Sequence, residues 1–129
     1  DAQQQLDFTS KDDVATFTAA AAMDDTAPRI LRIAGDTVSP VDLARIMTDV
    51  TGQRYATLRV GSIGALSAMI AITRKLSPAS DAPFPAWQGM QYLRDMMSGR
   101  GKLHPLDNDR YGVRAWTGAR EVLAEIHAG

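Results

Sequence analysis

The stretch "VGSIGALS", residues 60–67, sets Gly61, Gly64 and Ser67 three residues apart, behind a β-prone run and at the start of a helical pattern. Glycines so spaced let a backbone approach a pyrophosphate at a helix N-terminus, the layout of a dinucleotide-binding turn. The fingerprint needs a glycine where Ser67 stands, and it needs an acid at a strand end where Asp81 lies in a proline-rich loop. A plain strand-to-helix turn is therefore expected. "HPLDND", 104–109, brings His104, Asp107 and Asp109 close in sequence. One imidazole and two carboxylates fall short of a metal-ligand pattern, and Tyr111 and Gly112 come out of step with a calcium loop. No metal is expected; Asx-turns shaping a long loop are.

Acid-base and nucleophilic sets are missing. Tyr55, Tyr92 and Tyr111 are followed four residues later by Arg59, Met96 and Ala115, never by Lys, and there is no Ser, His and Asp arrangement. The carboxylate pairs Asp12/Asp13 and Asp24/Asp25 stand at the two ends of one predicted helix, where capping and solvation account for them. No residue is assigned a catalytic role. The chain has no cysteine, which excludes disulfides and thiolates and fits a cytoplasmic location. Large, adaptable side chains gather around the proline-rich segment. Of these, Phe84, Trp87, Gln88, Tyr92 and Met96 are the candidate substrate-binding residues, with Gln88 or the Tyr92 hydroxyl fixing orientation. The competing reading is an ordinary core in which Met90 belongs to the buried stripe.

The elements that would position these groups alternate. "LDFT" reads as a strand running into a helix over 11–23, with Ser10 as N-cap, Asp13 completing a capping box, and Val14, Phe17, Thr18 and Ala21 as the buried stripe. "RILRIAG", 29–35, reads as a second strand. A helix follows in which Ser39 caps, Pro40 takes the first position, Asp42 completes the box and Gly52 stops it, with Leu43, Ile46, Met47 and Val50 facing inward. "YATLRV", 55–60, alternates with period two and reads as a third strand. Residues 62–76 are helical and apolar on more than one face, 77–85 are a proline-rich loop, 86–99 form a helix, and Ala119, Val122, Leu123 and Ile126 mark a last one.

The expected fold class is thus α/β: a βαβαβα order plus two further helices, with parallel strands joined by helical crossovers. Three short strands make a narrow parallel sheet, and only six residues stand before the first strand-to-helix junction. The strands' partners are expected outside this chain, which begins with Asp and reads as processed, cut or recorded as a fragment. The 129 residues form one lobe. A formal net charge of -1 and a pI near 6.1 offer no field for nucleic acid. No stretch reaches the roughly 20 apolar residues of a membrane span.

Taken together, "FTSKDDVATFTAAA", "RILRIAGDTVSPVDLARIMTDVTGQ", "RVGS", "WQGMQYLRDMMSGRGKLHPLDNDRYG" and "TGAREVL" resemble the C-terminal part of NmrA-like proteins, atypical members of the short-chain dehydrogenase/reductase superfamily related to isoflavone reductase-like enzymes. The resemblance runs through essentially the whole chain. It implies a Rossmann-like doubly wound fold whose N-terminal nucleotide-binding domain is missing here and is this lobe's partner. That domain would carry the NAD(P) contacts and any active-site Tyr or Lys, so this chain alone is expected to be inactive and to bind no cofactor. The lobe would complete the sheet edge and the cleft for a small-molecule substrate, with Phe8 and Thr9 at the strand end also near it. Two functions follow from the resemblance: part of an NAD(P)-dependent oxidoreductase, or an NAD(P)-sensing regulator that acts through protein partners without turnover. A homo-oligomer covering the sheet edge is a further expectation.

Overall fold

Helix boundaries follow the capping chemistry. The computed structural model describes residues 2–58, 61–76, 84–112 and 115–129. Helix α1 spans Lys11–Ala22, and the Ser10 hydroxyl accepts from the Asp13 N–H at 3.1 Å. Helix α2 spans Pro40–Thr51. Its capping box is complete, because Ser39 accepts from the Asp42 N–H and Asp42 accepts from the Ser39 N–H, and Gly52 ends it in the left-handed region that glycine enters without a Cβ clash. Helix α3 spans Ile63–Leu76, with the Ser62 hydroxyl taking the Ala65 N–H; α4 spans Ala86–Met97 and α5 spans Ala119–Ala128. No helix among the described residues is long and apolar enough to cross a membrane.

The sheet is where the expected fold fails. Strand β1, Leu6–Phe8, pairs antiparallel with β2, Asp36–Val38, in the register Leu6 to Val38, Asp7 to Thr37 and Phe8 to Asp36. The described residues contain these two strands alone, so the chain is a mostly helical domain with a two-stranded antiparallel sheet. The α/β class, the parallel sheet and the βαβαβα part of a Rossmann-like doubly wound fold are all overturned. "RILRIAG" is not a strand, and neither are residues 55–58; Arg59 and Val60, the rest of the third expected strand, lie outside the described residues. So do positions 77–83 of the proline-rich loop.

The physical reason is visible in the bonds that 30–36 make. Arg32 and Ala34 pair their backbone groups with Asp107 and Asn108 of a loop some 75 residues away rather than with a neighbouring strand. Arg32 N–H donates to the Asp107 carboxylate at 2.8 Å while Asp107 N–H returns to the Arg32 carbonyl at 2.7 Å. Asn108 does the same for Ala34, its carbonyl accepting from the Ala34 N–H at 3.1 Å and its amide donating to the Ala34 carbonyl at 2.8 Å. An asparagine side chain thereby acts as one residue of a strand. "HPLDND" was expected to turn locally, and it does fold back through Arg110 N–H to the Asp107 carbonyl, but its carboxylate and amide reach across the molecule.

Other acids work the same way. Asp7 accepts from the Leu103 N–H, Asp13 from the Thr117 N–H and Asp36 from the Ala119 N–H, at 2.8, 2.8 and 2.9 Å. Asp13 is 4% exposed, so the first carboxylate pair is not simply a solvated cap. The bulk that closes around these bonds is small: Leu6, Phe17, Ala34, Val38 and Ile70 are the buried hydrophobics among the described residues. Phe17 stacks obliquely on Tyr111 and Trp116, with ring centroids 4.9 and 5.9 Å away. Its expected stripe partners fare differently, since Val14 and Thr18 face solvent. Around this centre α2 packs on α5, and α3 packs on α4.

Asn108→Ala should leave both backbone groups of buried Ala34 unpaired, a cost of about 1–3 kcal/mol in urea unfolding. The exposed neighbour change Asp109→Ala should stay within about 0.5 kcal/mol. Equal effects would mean that the Asn108 amide is not the partner of that backbone.

Candidate functional site

Helix α4 carries four of the five candidate substrate-binding residues, and Phe84 leads into it. Gln88, Tyr92 and Met96 recur every fourth residue, so they share one face of the helix. That face is open. Phe84 is 85% and Tyr92 69% exposed, Gln88 is exposed and Met96 half-buried. Trp87 lies on the adjacent face and is half-buried, with the Arg74 guanidinium 5.3 Å from its ring centroid. The five residues therefore divide into an exposed stripe and one packed indole. Thr9, the other position near the expected cleft, donates to the Ile33 carbonyl at 3.3 Å, and Phe8 gives its carbonyl to the Gly35 N–H at 2.8 Å.

The candidate residues line neither of two concavities formed between helix pairs. Between α3 and α4 runs an open groove of about 400 Å³, lined by Ser67, Ile70, Ala71, Arg74, Lys75, Gln91 and Arg94. Between α2 and α5 lies a cleft of about 350 Å³, lined by Met47, Thr51, Gln53, Tyr55, Leu123, Ile126 and His127. Sequence reading passed over the first because its cations sit on two helices separated by the proline-rich segment. The signal available was the i, i+3, i+4, i+7 recurrence of Ser67, Ile70, Ala71 and Arg74 along one face.

The glycine-spaced turn is a plain helix start. Gly61 has open space where a Cβ would stand, and Ser62 caps α3. Residues 55–58 before it form no strand, and Val60 and Asp81 lie outside the described residues. Among the described residues no three His, Asp or Glu side chains converge as metal ligands. His104 is exposed, while Asp107 is committed to Arg32.

The shifted carboxyls all sit in braces rather than in a cleft. Thr26, through its hydroxyl and N–H, and then the Arg110 guanidinium hold Asp24 well below the usual carboxylate range, with the Tyr111 hydroxyl also donating. The contacts are 2.6 and 2.9 Å to Thr26 and 2.8 and 2.9 Å to Arg110. Asp24 in turn raises Arg110. Burial pushes the Asp7 carboxyl up, but Lys102, the Leu103 N–H and the Thr37 hydroxyl together bring it below its ordinary value. Ser39 lowers Asp42 within the capping box. Solvation does not account for Asp24, as the sequence had suggested. None of these groups is poised as an acid or base for a ligand.

Set against protein-family models, curated proteins and solved structures, the chain matches nothing in any of the three.

Two outcomes follow from this geometry. Among the described residues the Trp87 indole N–H is buried with no acceptor. Trp87→Phe should therefore be neutral or stabilising by up to about 1 kcal/mol, whereas Trp87→Ala, which removes packing and the platform under Arg74, should cost about 2–3 kcal/mol in denaturant unfolding. A Phe variant as weak as the Ala variant would show that the indole N–H has a partner. For Asp24 the folded pKa lies below the unfolded value of 3.8, so its contribution is complete above that value and is lost as pH falls through the folded one. Asp24→Asn should be less stable at neutral pH and lose less on acidification from roughly pH 4 to 2, followed by circular dichroism melting. An unchanged acid limb would remove Asp24 from that role.

Proposed function

We propose that this chain is a non-catalytic accessory lobe of an NAD(P)-dependent oxidoreductase of the NmrA-like kind. A second protein body carries the nucleotide and the reacting groups, and this lobe offers the α4 stripe of Phe84, Gln88, Tyr92 and Met96 to a small carbonyl or alkene substrate. The observation that carries the lobe reading is exposed surface. The chain leaves 9333 Å² accessible, against about 6,700 Å² for a compact chain of 13.9 kDa. The excess, about 2,600 Å², is at least what one partner contributes to a permanent complex, roughly 1,000–2,500 Å² a side. Large apolar side chains contribute to it, including Leu58 at 85%, Leu76 at 80% and Ile30 at 63% exposed.

Two further features support a non-catalytic role. The groups with shifted pKa values are engaged in structural braces, and the α4 stripe presents two aromatics, an amide and a thioether without a charged group. That composition suits the wall of a pocket for a neutral organic molecule. The nucleotide and the reaction class rest on the sequence resemblance alone. The fold which that resemblance implied is corrected above, and the lobe reading does not depend on it.

Native mass spectrometry of the protein isolated from its own cells should find these 129 residues within or beside a second folded body of about 100–200 residues. That assembly should retain NADPH and oxidise it when given small aldehydes or enones, and the isolated chain should do neither. A lone monomer that binds no hydrophobic dye overturns the lobe reading. An assembly that holds no dinucleotide overturns the oxidoreductase, and one that holds it without turnover points to a regulator.

A further inference from the structure

The groove between α3 and α4 is lined by Arg74, Lys75 and Arg94, three cations in one concavity of a chain whose net charge is -1. We propose that it binds a small phosphate monoester with an apolar or planar body. The site rests on this lobe's own side chains and is separate from the α4 stripe and from any NAD(P) held elsewhere.

Three cations line the groove, and among the described residues one carboxylate answers them. Asp95 takes the Nε and Nη2 edge of Arg94 at 2.8 and 2.7 Å, which fixes that guanidinium and leaves Nη1 without a partner among the described residues. Arg74 is held differently. Its guanidinium carbon lies over the Trp87 ring, 5.3 Å from the centroid, and no hydrogen bond among the described residues takes its N–H groups. Lys75, one residue on, makes no ion pair among the described residues and adds a mobile point charge. Two oriented guanidinium groups plus an ammonium match the charge and several acceptor oxygens of a phosphate dianion better than they match a single carboxylate.

The rest of the lining sets the ligand's body. Ile70, 7% exposed, and Ala71 present hydrocarbon beside the cations, and the Gln91 amide can donate from the α4 side. The Ser67 hydroxyl already donates to the Ile63 carbonyl at 2.8 Å, so it is no donor for the phosphate. A volume of about 400 Å³ holds a ring and a phosphate and is too small for a dinucleotide lying at full length. Electrostatics supplies the head-group contact, and the hydrocarbon strip makes a bare phosphate a poorer ligand than its ester.

The test titrates the ¹⁵N-labelled full chain with phenyl phosphate and follows indole and arginine Nε resonances. The Trp87 indole and the Nε signals of Arg74 and Arg94 should move together and saturate, and inorganic phosphate should bind more weakly. Arg74→Gln combined with Lys75→Gln should weaken binding at least about tenfold. Both residues are exposed, so the variant should keep its helical circular dichroism, and Lys75→Gln alone serves if it does not. Arg54→Gln, outside the groove, should change nothing. Failure to saturate, equal weakening by Arg54→Gln, or inorganic phosphate binding as tightly as the ester would each overturn the proposal. So would binding to phosphatidic acid vesicles without any response to phenyl phosphate, which would place the cations on a membrane.

Discussion

Carboxylates that accept backbone N–H groups from far along the chain hold this structure together. Asp7 with Leu103, Asp13 with Thr117, Asp36 with Ala119 and Asp107 with Arg32 each join segments 75–104 residues apart. A two-stranded ribbon alone is marginal in water, so β1 and β2 need such support. Hydrogen bonds to an ionised acceptor are shorter and stronger than neutral ones, and each contributes about 1.5–3 kcal/mol. Every one of them ties residues 7–36 to the 103–119 segment. The segment between, which holds α3 and α4, is a long excursion whose closure entropy grows only slowly with its length. That is why it can be a separate helical pair without undoing the centre.

This division explains where the molecule is tight and where it is open. The braces and the Phe17, Tyr111 and Trp116 cluster place burial at the junction of the chain's two ends. Helix α3, by contrast, has apolar side chains on two faces. Ile70 is covered, while Met69, Ile72 and Leu76, three and four residues apart, are 52%, 59% and 80% exposed. A helix with hydrocarbon on both sides belongs in an interior.

The helices and the first strand, Leu6–Phe8, were legible in the sequence; its partner and their pairing were not, because the two depend on different information. Ser10, Ser39, Pro40 and Gly52 act on their own neighbours, so their chemistry can be read from five adjacent residues. Residues 29–35 are β-prone, and their extended backbone does need partners. A strand and a side-chain acceptor satisfy that need equally well, and nothing local tells them apart. "HPLDND" shows the other half of the same blindness: its acids read as turn formers, since nothing adjacent in sequence marks an Asp that will bind a backbone amide 75 residues away. Asp13 and Asp24 hid among helix-end acids for the same reason. The three groove cations were invisible as a group because Arg74 and Arg94 come together only once α3 and α4 pack.

The candidate site inherits this asymmetry. Trp87 was singled out for its size, and it does stand at a junction, but through the cation above it rather than through a cavity around it. An indole N–H buried with no acceptor among the described residues costs free energy that a phenylalanine ring would not. The broader indole face, in turn, is the stronger cation-π platform and places Arg74 at the groove. Stability and cation placement thus make opposing demands on one side chain. A residue retained for folding alone would have no use for the nitrogen, whereas one that positions a guanidinium gains from the larger ring despite it.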